Sequence, residues 1–137
     1  MTLHVELVSP ERILYAGEAD MVVARTPDGE LAFLTGHTPF LGALVEAPVR
    51  IKPAGGGEEV VAAVHGGFVE VSHDRVTILS DLAELADQID LDRARATKEW
   101  AEARLREEHD AECEAALRRA HVRIELAGGL GTTTSRH

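Results

Sequence analysis

The side chains able to do chemistry are few and scattered. Seven histidines (His4, His37, His65, His73, His109, His121 and His137) include no pair at i and i+4 and no His-Glu-x-x-His, so the spacing of a helical metal site is missing. No His-x-His pair with a downstream glutamate marks a metal-binding β enzyme either. Cys113 is the single cysteine, which excludes an internal disulfide framework, points to a reducing compartment and reads as a small core residue. Gly55-Gly56-Gly57 runs into Glu58-Glu59 rather than Gly-Lys-Ser/Thr, the sequence of a hairpin connection and not of a phosphate loop. Gly66-Gly67, between apolar stretches, reads as a bulge or turn.

Two sets of residues remain. His37 sits in Gly36-His37-Thr38-Pro39, where a fixed backbone on both sides can present it to a partner; hydrogen bonding inside its own turn is the plainer role, and the residues alone favour it. Arg119 and Arg123 are four apart and share one helix face. If the helices fold back, Arg93 comes opposite them, and three guanidiniums with Asp90 nearby can hold a nucleotide phosphate. Salt bridges to Glu99, Glu102 and Glu114 are the plainer use of the same arginines, and the residues alone favour that one too.

The elements that position these groups follow from where the breakers fall. All five prolines and nine of twelve glycines lie before residue 68, and neither type returns until Gly128. The first part reads as short strands: Leu3, Val5 and Leu7 alternate with polar neighbours, Phe68, Val69 and Val71 sit around Glu70, and Val76 and Ile78 flank Thr77. Turns at Ser9-Pro10, Pro27-Asp28-Gly29, Gly36 to Pro39 and Pro53 to Gly57 are spaced as in a β-sandwich or flattened barrel. Val60 to Val64 is apolar on both faces and predicts a central strand.

From Asp81 to Ala127 the chain carries thirteen acids and eight bases among many alanines, the composition of solvated helix. Asp90 is placed to cap the first helix and Gly128-Gly129 to stop the last. Cys113, Leu117, Ala120, Ile124 and Ala127 form a narrow seam, with a weaker counterpart in Leu91, Ala94, Ala101 and Leu105 that Lys98 interrupts. One straight helix from Asp90 to Ala127 would be about 57 Å long, so a two-helix hairpin turning at Glu107 to Asp110 is the compact form. That turn has no Gly or Pro, and its seam of alanines buries little, which predicts a bistable element, folded in one state and extended in another.

A formal net charge of −10 in 137 residues argues against holding nucleic acid or an anionic membrane surface through the general field. Length and composition are those of one soluble domain with an appendage, and no apolar run reaches membrane-span length. The N-terminus enters strand alternation at once, without a signal or transit pattern.

Three stretches taken together resemble the epsilon subunit of F-type ATP synthases. They are Gly29-Glu30-Leu31-Ala32-Phe33-Leu34-Thr35-Gly36-His37-Thr38-Pro39; His65-Gly66-Gly67-Phe68-Val69-Glu70-Val71 with Val76 to Asp81; and Ile89-Asp90-Leu91-Asp92-Arg93-Ala94. They occur in the family's order, and the resemblance extends over residues 2 to 127. The resemblance implies an α+β chain: an N-terminal β-sandwich over 1–84 that docks on the gamma subunit and the c-subunit ring, a regulatory antiparallel two-helix hairpin over 88–127, and a flexible tail over 128–137. It implies a non-catalytic subunit that couples ring rotation to ATP synthesis. In an extended state its helices reach the alpha and beta subunits and inhibit ATP hydrolysis. Glu30 and His37 match the region facing the c ring and gamma. Glu84, Asp90, Arg93, Ala94, Arg119 and Arg123 match positions where some members bind ATP, and Trp100 stands where that pattern has an arginine, so only weak ATP binding is expected. Arg118, Arg119 and Arg123 are the expected inhibitory contacts, meeting acidic loops. No metal, catalytic residue, nucleic acid or membrane insertion is expected, and the expected location is peripheral, on the cytoplasmic face of a bacterial membrane. A stand-alone ATP sensor acting through Arg93, Arg119 and Arg123 is the other reading.

Overall fold

The computed structural model describes residues 2–107 and 110–131, apart from the side chains at 107 and 129–131. The chain divides into two compact units, Met1–Leu85 and a second beginning at Ala86.

The first unit is a seven-stranded sheet: β1 (Leu3–Val8), β2 (Ile13–Thr26), β3 (Gly29–Phe33), β4 (Phe40–Pro53), β5 (Val60–Ser72), β6 (Arg75–Leu79) and β7 (Ala83–Leu85). The spatial order is β1-β6-β5-β4-β2-β3, and an added β1–β2 pairing closes the sheet on itself as a flattened barrel. Among the described residues β1 and β6 pair in parallel and the other pairings are antiparallel. Period-two alternation fills the interior: Leu3, Val5 and Leu7 from β1, Val69 and Val71 from β5, and Val76 and Ile78 from β6 all reach the same core. β5 is the central strand expected from Val60 to Val64, with β4 on one side and β6 and β7 on the other.

One local reading changes, and one position left open in the sequence takes a side. Phe68 does not join Val69 and Val71 in the core but is 58% exposed, because it shares the outward phase of Glu70. Gly66-Gly67 is not a bulge: Leu44 faces Gly67 and Glu46 faces His65 with no register shift. The pair is instead a kink, with φ of 89° and 124°, where β5 passes from β7 to β6. A Cβ at Gly67 would collide with the Leu79 carbonyl oxygen.

In the second unit a single 3₁₀ turn (Ala86–Gln88) precedes α1 (Leu91–Glu107) and α2 (Ala111–Gly131). The two helices pack on each other, and α1 ends and α2 begins at the borders of the turn expected at Glu107 to Asp110. Asp90 caps α1 as predicted: its carbonyl accepts the Ala94 N–H at 3.0 Å and its Oδ1 accepts the Arg93 N–H at 3.0 Å. The seam is met in part. Ala94 and Ala101 of α1 and Cys113, Ala116 and Ala120 of α2 are buried, whereas Leu117, Ile124 and Ala127 are half-buried. Val122 and Leu126 are buried on the opposite side of α2, which also packs against the 3₁₀ turn, so this helix is apolar on two faces.

Gly128-Gly129 does not end α2, and the part of the expected flexible tail up to Gly131 is helical. A glycine lowers helix stability by about 1 kcal/mol without forbidding the conformation. The rest of that expected tail lies outside the described residues.

Candidate functional site

The sheet register builds one surface that the motifs did not announce. On the outer side of the first unit, Ile13 pairs with Val8, Val8 with Leu79, Leu79 with Phe68 and Phe68 with Ala43, so five strands contribute one continuous apolar row. Ile13, Leu79 and Phe68 in that row are each more than half exposed. Beside it, Val8, Pro10, Gly67, Phe68, Leu79 and Ser80 line a hollow of about 320 Å³. The next row along the strands is polar and acidic, Glu6 to Thr77 to Glu70, and ends at Leu41, at 71% the most exposed large apolar residue among those described. An apolar stripe rimmed by carboxylates is what a protein partner covers. Charge points to a basic partner: Met1–Leu85 holds thirteen acids and five bases, a net −8, against eleven and nine, a net −2, from Ala86 onward. The phase of Phe68 with Glu70 was the signal available in the sequence.

Glu30 and His37 are not brought together. Glu30 is exposed on β3, an edge strand, and its carboxylate lies 3.7 Å from Arg25 across the β2–β3 hairpin. His37 lies beyond the other end of β3, half-buried. Its ring stands edge-on to Phe33, centroids 5.0 Å apart, and to Phe40 at 6.4 Å, and Nδ1–H donates to the Thr38 carbonyl at 2.7 Å. The Gly36 N–H donates to Asp74 Oδ1 at 2.8 Å, which ties this turn to the β5–β6 hairpin. His37 thus has the turn-internal hydrogen bond that its plainer reading gave it.

At the same end of the barrel Glu18 accepts from Thr2 Oγ1 at 2.5 Å and meets His4 Nδ1 at 2.9 Å. The Thr2 hydrogen bond, then the one from His4, holds the Glu18 carboxyl below its ordinary value.

The six nucleotide candidates divide between the units. Glu84, on β7, sits 3.3 Å from Nε2 of His65, whose side chain is 1% exposed. Asp90, Arg93 and Ala94 share the first turn of α1, where Asp90 is engaged as the cap and Ala94 is buried. Arg119 and Arg123 lie one turn apart on α2, both half-buried. Arg118 is exposed and turned about 100° away from Arg119, so the three arginines do not form one face. Trp100 is 52% exposed on α1 with the Arg104 guanidinium 5.9 Å from its ring. No group of three or more metal-ligating side chains occurs among the described residues.

Comparison with known proteins decides the family. The beta-sandwich domain of the ATP synthase delta/epsilon chain matches residues 2–86, and the long alpha-helix domain of the same chain matches residues 87–128. The chain belongs to the ATP synthase delta/epsilon family. It is 47% identical to the ATP synthase epsilon chain of Streptomyces griseus, covering 89% of this chain and 92% of that one. It is 49% identical to the epsilon chain of Thermobifida fusca, covering 91% of each. In fold it resembles a chain of the Euglena gracilis mitochondrial ATP synthase OSCP/F1/c-ring structure, with TM-score 0.71 and 20% identity over 99% of this chain and 82% of that one. It also resembles a chain of the Tetrahymena thermophila mitochondrial central stalk and c-ring structure, with TM-score 0.57 and 16% identity over 96% and 98%. Among the described residues no helix is long and apolar enough to cross a membrane.

Proposed function

We propose that this chain is the central-stalk epsilon subunit of a proton-translocating F-type ATP synthase. In this reading it performs no chemistry. The sandwich fastens the c-subunit ring to the gamma subunit so that ring rotation drives ATP synthesis in the catalytic head, and the helices inhibit ATP hydrolysis at the alpha and beta subunits. The subunit sits peripherally on the cytoplasmic face of the membrane. The observation that carries this reading is the likeness to bacterial epsilon chains across both units, in order and at nearly half identity.

The apolar row supports docking on gamma, since a rigid sheet face with exposed Phe68 and Leu79 loses little conformational entropy when covered. Glu30, exposed on its edge strand, is the direct contact assigned to the c ring, and His37 holds the adjoining loop in shape. Exposed Arg118 is the leading inhibitory contact, with Arg119 and Arg123 beside it. ATP is at most a weak ligand: Glu84 and Asp90 already have His65 and the α1 backbone as partners, and a nucleotide would compete with both.

Gel-filtration co-elution with an alpha-beta-gamma assembly lacking epsilon tests the docking. The full chain is expected to co-elute at sub-micromolar concentration and Phe68→Asp to fail at that concentration while remaining folded. Absence of co-elution by the unmodified chain with a cognate assembly removes the central-stalk reading.

A further inference from the structure

The break between the helices has a physical cause that the absence of Gly and Pro concealed. Asp110 is the N-cap of α2: its carbonyl accepts the Glu114 N–H at 3.0 Å, and its Oδ1 accepts the Glu112 N–H at 2.9 Å and the Cys113 N–H at 3.3 Å. Its other oxygen, Oδ2, lies 3.5 Å from Nε of Arg104, the residue whose guanidinium stands over Trp100. Thus one carboxylate meets the last turn of α1 and the first turn of α2.

We propose that Asp110 is the latch of the helical unit, a cap that exists only while the chain breaks before α2 and that sets the balance between the hairpin and one continuous helix. In a continuous helix the Glu112 and Cys113 N–H groups would pair with carbonyls four residues earlier, and the carboxylate would have nothing to cap. Asp110 would become an interior aspartate, a poor helix former. Arg104 and Asp110, six residues apart, would lie about 120° apart around the helix and 9 Å apart along it, so their pair would be lost. All three changes favour the hairpin. What opposes them is the backbone hydrogen bonding that an unbroken helix would add between the two present ones, and what helps them is a seam of alanines and Cys113 that buries little. Where such opposing effects are small, one side chain decides the population.

The inference rests on the proposed function for the existence of an extended arrangement. Pulsed dipolar spectroscopy on the full chain tests both, with spin labels at Ala96→Cys and His121→Cys in a Cys113→Ser background. Counted from the turn, positions 96 and 121 are neighbours in the hairpin, whereas 25 residues of continuous helix separate them by about 38 Å. The chain is measured alone and with the alpha-beta-gamma assembly. Asp110→Ala is expected to raise the ratio of long to short distances about tenfold, with helicity kept or increased. Asp110→Asn, a comparable cap, is expected to stay near the unmodified ratio, and Arg104→Gln to raise it about twofold. A long-distance population that Asp110→Ala leaves unchanged overturns the latch and spares the extended state. No long-distance population in any variant, with or without the assembly, overturns the extended state and the latch with it.

Discussion

The two units bury apolar surface with different side chains. The sandwich core is built from Phe33, Leu3, Leu7, Ile51 and Ile78 and a set of valines, all at most 2% exposed. In the helical unit the buried positions are Ala86, Ala94, Ala101, Ala116 and Ala120 with Cys113, Val122 and Leu126. At about 0.8 kcal/mol per buried methylene, alanines contribute far less per residue than branched chains. The difference separates a platform that holds its shape from an arm that can rearrange.

The sharpest way to break the platform is at its kink. Gly67→Ala forces a β-carbon onto the Leu79 carbonyl at a φ of 124°, and urea unfolding is expected to show a loss of about 3 kcal/mol or failure to fold. Ile78→Ala leaves a cavity in the same core and is expected to cost about 3 kcal/mol. The matching change in the arm, Ala120→Gly, is expected to cost about 1 kcal/mol by the same measurement, and an equal cost in both would erase the contrast. Phe68→Asp is expected to leave stability within about 0.5 kcal/mol while abolishing co-elution with the alpha-beta-gamma assembly, because its ring touches solvent and not the core.

The smallest effect is one of pH. The Glu18 carboxyl titrates below its ordinary value in the folded chain, so its contribution is complete above the unfolded value near 4.5 and is lost as pH falls through the folded one. Glu18→Gln is therefore expected to lower the sandwich's stability slightly across the neutral range, where the carboxylate contributes, to change little at low pH, where that contribution is already lost, and so to flatten the acid limb. An unchanged acid limb would show that Thr2 and His4 do not hold this carboxylate in solution.

Strand existence was legible because alternation in β1 and β6 reports directly which face is buried. The side taken by Phe68 was not, since three apolar residues around Glu70 leave open which of them face inward, and only its phase with Glu70 puts Phe68 out. The apolar row needed the register of five strands, and a single chain of letters does not state which residues face each other across β1 and β6. In the helical unit the α1 cap was read from Asp90, yet the same residue type at Asp110 was passed over for want of a glycine. The single-seam pattern missed Val122 and Leu126 because it assumed that α2 has one apolar side. Glu30 and His37 belong to one motif in sequence, yet Glu30 lies at the start of β3 and His37 beyond its end, a separation that an extended backbone of about 3.3 Å per residue requires.

Native-state hydrogen exchange on the full chain, read segment by segment, tests the contrast most directly. Amides of β1, β5 and β6 are expected to exchange only through global unfolding, and those of α1 and α2 through a separate opening at least about a hundredfold more frequent. Equal protection of helices and strands under every condition would contradict it, and the arm would then be as fixed as the platform.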